Sequence, residues 1–243
     1  MNIELIIDAG PTEVVIALLQ DKRLVEIHRE KGNNSWSVGD VYLGKVKRVV
    51  PGLNASFVNV GYEKDAFLHY LDLGPQFSSL AKFTKRSLTR KQSTSHLDQF
   101  EMEKDIDKEG KISQVVSANQ NILVQIAKEP ISSKGPRLSS EVTLAGRYIV
   151  LVPFSNKISI SSKIKDEDER KRLRGIIDSV RPKNFGVIIR TVAQNKNLSE
   201  LDADLNALVA KWDQLYKALK DAEPPKKILG ELDRTAALLR DLL

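Results

Sequence analysis

Apolar positions recur at every second residue early in the chain and at every third or fourth residue late in it, so strands are expected first and long helices last. Ile3, Leu5 and Ile7 begin the first pattern, and residues 14–19 and 24–27 continue it after turns at Gly10-Pro11 and Gln20-Asp21-Lys22. Residues 3–30 therefore predict a hairpin or small meander, followed by a polar turn at Gly32-Asn33-Asn34-Ser35. Residues 41–68 predict three further strands. Tyr42, Val46 and Val49 are apolar steps broken by Lys45, Lys47 and Arg48, so one face can enter a core while the other meets solvent. Pro51-Gly52 supplies a turn, residues 55–60 carry strand formers, and Gly61 closes them before Ala66-Phe67-Leu68. Phe57 and Phe67 can then lie side by side on neighbouring strands.

Residues 120–126 restart the strand pattern, Lys128-Glu129-Pro130 ends it, and a loop carrying Lys134 and Arg137 leads to the apolar run 148–152, a buried strand. Residues 166–180 have helical spacing and an acidic start suited to the positive end of the dipole. Residues 186–191 predict a buried strand that ends in Arg190 and Thr191. Leu198, Leu201, Leu205, Leu208, Trp212, Leu215 and Leu219 mark a helix with one apolar face, better suited to a core than to a partner. Pro224-Pro225 breaks it. A second amphipathic helix is expected over 226–243, and its uncapped end on Leu242-Leu243 suggests a truncated chain. Between the two strand blocks, residues 71–112 are basic in their first half and acidic in their second, which predicts mobile, solvated loops, although Phe77, Phe83 and Phe100 leave room for a partial helix or packing.

The chain has 243 residues, 41% hydrophobic and 29% charged, enough for one large domain or two small ones around a buried core. No apolar run approaches the roughly 20 residues a membrane helix needs, and the start lacks the features of a secretory signal. These readings predict a soluble, cytoplasmic protein with no membrane partner. A net charge of +6 is compatible with binding a polyanion, and the cations concentrate at residues 45–48, 82–91 and 163–174. The absence of cysteine excludes disulfides and thiolate metal sites, and three scattered histidines argue against a histidine-rich metal site.

Two clusters of residues could carry chemistry. Phe57 and Phe67 amid Lys45 and Lys47 suit single-stranded nucleic acid, because bases stack on rings and phosphates meet cations; the alternative is that both rings fill a core. Arg190 and Thr191 combine a guanidinium fork, a hydroxyl and a strand end, which can enclose a terminal phosphate, or Arg190 can be a surface residue or half of an ion pair. Asp8 ends a strand as a metal-binding carboxylate can, but no second acidic residue follows at a comparable strand end. The paired carboxylates that bind Mg²⁺ for phosphodiester hydrolysis have no counterpart in the sequence.

The run GKVKRVVPGLNASFVNVGYEKDAFL resembles an S1-type RNA-binding module, an OB-fold barrel. Together with LAGRYIVLVP, FGVIIRTVA and LVAKWDQLYKA, in that order, it resembles the amino-terminal half of bacterial ribonuclease E/G endoribonucleases. The resemblance implies an α+β chain: a ribonuclease H-like β-hairpin or meander over 1–35, a five-stranded S1-type barrel over 36–129 carrying the insert at 71–112, and a 5′-sensor α/β region over 130–222. It implies RNA stacking on Phe57 and Phe67, a contact from Lys134, and a 5′-monophosphate pocket formed by Arg190 and Thr191 with backbone groups at Gly146 and Val150. Lys45 and Lys47 are added by charge and position. Ser162 stands where the family often has an arginine, which weakens or rearranges sensing unless Lys163 substitutes, and Val60 stands where relatives often have tyrosine. In the family, cleavage belongs to a Mg²⁺-dependent domain with paired aspartates, followed by a zinc-binding cysteine pair between subunits. Both would lie beyond Leu243, so this chain is expected to bind no cofactor, to be inactive alone, and to derive from a homo-oligomer. A non-enzymatic RNA-binding or assembly module with a vestigial phosphate pocket is the alternative.

Overall fold

The computed structural model describes residues 2–10, 13–31, 36–132, 134–231 and 240. It divides into two compact units, Met1–Ser37 with Glu231–Leu243, and Val38–Gly230. In the first, β1 (Ile3–Ala9), β2 (Glu13–Gln20) and β3 (Arg23–Lys31) form an antiparallel meander in sequence order. Asp21 and Lys22 both take positive φ, 48° and 65°, in the two-residue connection that matches the twist of β2 and β3. Asp8 is exposed near the end of the β1–β2 ladder, opposite Val15. The turn expected at residues 32–35 lies outside the described residues.

The second unit is built on a closed, five-stranded barrel of β4 (Val41–Val50), β5 (Ala55–Asn59), β6 (Ala66–His69), β7 (Asn121–Lys128) and β8 (Arg137–Ser139). The order is β4-β5-β6-β8-β7, β4 pairs with β7 to close it, and only β6–β8 is parallel. This is consistent with an OB fold within an α+β chain. The fifth strand comes from residues 137–139, so the barrel extends past the boundary expected at 129. Beside it, β9 (Leu144–Ala145), β10 (Ile149–Pro153), β11 (Ile158–Ile160) and β12 (Phe185–Ile189) form a mixed sheet in the order β11-β12-β10-β9.

Four helices complete the unit: α1 (Phe77–Leu88), α2 (Ile112–Val115), α3 (Glu167–Val180) and α4 (Leu198–Lys220). Asp166 caps α3 by accepting the Asp168 N–H at 3.0 Å, and Asn197 and Glu200 form a reciprocal capping box on α4. The predicted α4 stripe is buried from Leu201 to Leu219, with Leu198 left half-exposed at its start.

Two expectations fail. The charged insert is part of the core rather than a solvated loop: Phe83 is fully buried, with its ring centroid 5.2 Å from that of Trp212, 5.4 Å from Phe154 and 5.9 Å from Phe100 and Tyr216. Its charges hid a narrow apolar stripe at Phe77, Leu80 and Phe83, and Lys82 links its two halves, reaching Glu101 at 3.2 Å and Glu103 at 2.7 Å. The irregular stretch that follows is tied down by its backbone, through Trp212 Nε1 donating to the Ser95 carbonyl at 2.9 Å and the Tyr216 hydroxyl to that of Gln92 at 2.6 Å. The second failure is at residues 226–229, where a strand, β13 (Lys226–Leu229), replaces the expected start of a helix. It pairs antiparallel with β4, and Lys227 meets the buried Asp40 carboxylate at 2.6 Å, so an available strand edge overrides helical spacing. The rest of the expected helix, except Arg240, which is helical, and Gly230 and Glu231, lies outside the described residues.

Phe83→Ala should cost about 3–5 kcal/mol in denaturant unfolding, as for other buried aromatics, whereas Lys104→Ala in the same segment should stay within about 0.5 kcal/mol of the parent. Similar small effects from both would return the insert to the solvated-loop reading.

Candidate functional site

Phe57 and Phe67 are direct cross-strand partners in β5 and β6. Both are half-buried and alternate with the buried Ser56, Val58, Ala66 and Leu68, so they stand on the outer face of the barrel. Their ring centroids are 5.7 Å apart at 68°, the edge-to-face arrangement the ring quadrupoles favour. Arg48 pairs in register with Phe57 and lays its guanidinium 4.3 Å from that ring's centroid, while His69 lies 6.3 Å from Phe67. A planar cation and three rings thus run across three strands.

Arg48 faces outward with Lys45 and Lys47 because β4 carries an irregularity. Pairing shifts between Val46 and Arg48, leaving Lys47 as an extra residue. Strict alternation would turn Arg48 inward with Val46; the bulge instead exposes Arg48 beside Lys45 and Lys47 while Val46 stays fully buried. Lys45 pairs with Asn59, one outward position along from Phe57. Lys134 is exposed and reaches this region through its loop: the Phe67 N–H donates to the Pro136 carbonyl at 2.9 Å. A Cβ on Gly135 would run into the carbonyl oxygens of Asp65 and Lys64, so only glycine lets the loop lie so close to the turn before β6.

The second cluster forms where β12 ends. Arg190 Nη1 donates to the carbonyls of Gly146 and Arg147 at 2.8 and 3.3 Å, and the hydroxyls of Thr191 and Ser161 are 2.8 Å apart. Gly146, Arg190 and Thr191 are therefore brought together. Val150 lies in β10 between Ala145 and Ile188, its side chain half-buried. Ser162 and Lys163 are exposed immediately after Ser161. Tyr148 is flanked by the Arg147 guanidinium, 5.4 Å from its ring centroid, and by Lys196 Nζ at 5.3 Å. Lys196 is held by Glu200 at 2.8 Å, and that hydrogen bond is the main reason its pKa lies above the ordinary lysine value. Hydrogen bonds from Arg172 hold the Glu169 carboxyl below the usual glutamate range, and the same carboxylate accepts the Asn195 N–H at 2.8 Å, fixing the turn after Thr191.

The residue that organises this corner is one the sequence reading did not single out. Asp204, on α4, accepts the N–H groups of Arg147, Tyr148 and Ile149 at 3.1, 2.8 and 3.0 Å. A Cβ at Gly146 would stand 2.6 Å from both of its carboxylate oxygens, so any larger residue there would push the carboxylate off its donors. An acidic residue in a helix carries no sequence signal of such a role. Arg48 was visible as part of the basic run, but its stacking depended on the bulge. Among the described residues, no group of three or more His, Asp or Glu side chains could hold a metal ion, and no helix is long and apolar enough to cross a membrane.

The model of the Ribonuclease E/G family matches residues 143–243. The chain is 32% identical over 241 residues to Ribonuclease G of Escherichia coli, covering 99% of this chain and 45% of that protein. Ribonuclease G of Haemophilus influenzae gives the same identity and the same coverage. Ribonuclease E of a Nostoc species is 31% identical over 229 residues, covering 94% of this chain and 29% of its own length. The chain spans about half the length of the curated ribonuclease G relatives it matches, and less of the ribonuclease E.

Gly146→Ala and Asp204→Ala should each destabilise the Val38–Gly230 unit by about 1–3 kcal/mol, the first by driving the carboxylate off its donors and the second by removing it. Because both break one contact, the double variant should lose clearly less than the sum in denaturant unfolding. Additive losses would show that the glycine and the carboxylate act independently.

Proposed function

Because the chain belongs to the ribonuclease E/G family, we propose that it is the part of such an endoribonuclease that grips single-stranded RNA and reads its 5′ end. The observation that carries this reading is the outward-facing Phe57–Phe67 pair, with Lys45, Lys47 and Arg48 exposed on β4 beside it. Bases stack on the rings at about 1–3 kcal/mol each, and the lysines meet the phosphates between them. On this reading the barrel acts as an S1-type module and Lys134 adds a contact at its edge.

For the 5′ end, the reading assigns a terminal monophosphate to Arg190 and Thr191. The guanidinium is held rigid by the two carbonyls it spans, and the Thr191–Ser161 hydroxyl pair can turn a proton toward a phosphate oxygen. Gly146 and Val150 contribute backbone only, and Lys163 supplies the cation that Ser162 does not. The whole protein, on the same reading, is a cytoplasmic homo-oligomer that processes RNA, with Mg²⁺ serving a cleavage centre outside this chain.

One observation favours a second reading, an RNA-binding module with a vestigial phosphate pocket. The three backbone N–H groups best arranged to receive an anion are already taken by Asp204.

Fluorescence anisotropy with matched oligonucleotides separates the two. Phe57→Ala should weaken binding to any single strand by about 1–3 kcal/mol. Arg190→Ala and Arg190→Lys should remove mainly the advantage of 5′-monophosphorylated over 5′-hydroxyl RNA, since lysine keeps the charge without the fork. Equal affinity of the unaltered protein for the two ends would eliminate sensing and leave the second reading.

A further inference from the structure

A groove of about 390 Å³ borders the outer side of β10–β12, another of about 270 Å³ borders Tyr70, and a third of about 650 Å³ lies between α1 and the turn that enters β7. The first two include carboxylates, Glu103, Asp105 and Glu141 in one and Asp107 and Glu141 in the other, which would repel a polyanion. The third includes none. Its polar lining consists of Lys82 and Lys85, the hydroxyls of Thr89 and Ser117, and the amides of Asn119, Gln120 and Asn121.

We propose that this third groove receives the sugar–phosphate backbone of single-stranded RNA where the strand leaves the Phe57–Phe67 stack. The inference rests on the proposed function and extends it to a second subsite.

Continuity with β4 carries the argument. Asn121 pairs in register with Lys45, the Val46 N–H donates to the Gln120 carbonyl at 2.9 Å, and the Asn119 N–H donates to the Val46 carbonyl at 2.8 Å. The groove wall is therefore fastened to the same strand that carries Lys45, Lys47 and Arg48. From Arg48 to Lys45 is about 10 Å along the strand, at about 3.3 Å per residue. A chain stacked on Phe57 would pass Arg48, Lys47 and Lys45 in turn and arrive at Asn121.

The chemistry suits that occupant. Amides and hydroxyls can hydrogen-bond phosphate oxygens and ribose hydroxyls without reading bases. Lys82 is engaged by Glu101 and Glu103, but Lys85 is exposed and makes no ion pair among the described residues, so Lys85 is the cation left to meet a phosphate. The turn is set before any ligand arrives: Asn119 takes a positive φ of 64°, and Gln120 Oε1 accepts the Ser117 N–H at 3.0 Å.

The test is anisotropy with 5′-hydroxyl RNA of about four and about twelve nucleotides, within the span of OB-fold site sizes, titrated with salt. Lys85→Ala should leave the short strand's affinity unchanged, weaken the long strand several-fold, and reduce the long strand's slope of log K against log salt by about 0.7, the loss of one phosphate contact. Lys85→Glu should exaggerate both long-strand effects, and Lys183→Ala, elsewhere on the surface, should produce neither. An unchanged long-strand slope in both Lys85 variants, or an equal loss for the short strand, would overturn the groove assignment. Phe57→Ala distinguishes the levels: if it affects neither length, the stacking face itself is wrong; if it weakens both while Lys85 is silent, only the groove is.

Discussion

Closure of the barrel at β4 is the constraint on which the other features depend. This strand is bonded on both edges: β7 takes Val41 to Lys45 along one, and β13 and then β5 share the other. Its first half is also buried on both faces, with Val41 and Leu43 reaching the core formed with α1 and α4. Its second half keeps one face in water. The bulge at Lys47 lies in this second half and turns Arg48 outward beside Lys45 and Lys47 without breaking closure. If β4 lost β7, the register that aligns Arg48 with Phe57 and Phe57 with Phe67 would lose its anchor, because a slip of one residue sends every side chain to the opposite face.

The aromatic cluster around Phe83 does for the rest of the unit what closure does for the barrel. Phe83 and Phe154, the latter from the end of β10, each pack edge to face or tilted against Phe100 and Trp212 and against each other at 5.2–5.9 Å. Rings in such contact leave few alternative packings, so α1, α4 and the sheet share one core with the outer faces of β4 and β7. α4 then has two duties. Its apolar stripe fills that core, and Asp204, off the stripe, holds the turn between β9 and β10 to which Arg190 is bonded.

What the sequence made legible was whatever rests on period and punctuation. The strands around Phe57 and Phe67, the acidic start of α3 and the apolar face of α4 were all read from spacing, because each presents one dominant face. The insert defeated that reading because its apolar stripe is short and lies among charges that pair across about 20 residues, as Lys82 does with Glu101 and Glu103. β13 defeated it because residues 226–229 take their structure from the edge of β4. At the candidate sites, the residue types were visible but the partners were not. Nothing in the string indicates that Arg48 covers a ring, or that Gly146 is glycine because a carboxylate stands beside it.

Asp204 also bears on how a phosphate could be read at the end of β12. A nest of backbone N–H groups attracts anions, and here it already holds one. A second anion arriving nearby meets repulsion from that carboxylate, so recognition must rest on cations and hydroxyls outside the nest. Lys196 is held by Glu200, and the guanidinium of Arg190 is bonded to the same turn that Asp204 holds. Arg190 is rigid and close to the Thr191 hydroxyl, whereas Arg147 is exposed and stacks on Tyr148. A phosphate dianion gains more from nearby guanidinium groups than a hydroxyl end does, and it also meets more repulsion from the Asp204 carboxylate. On the proposed reading, the grip comes from the stacked rings on the barrel, and the balance between the Arg190 guanidinium and the Asp204 carboxylate sets how far a phosphorylated end profits from it.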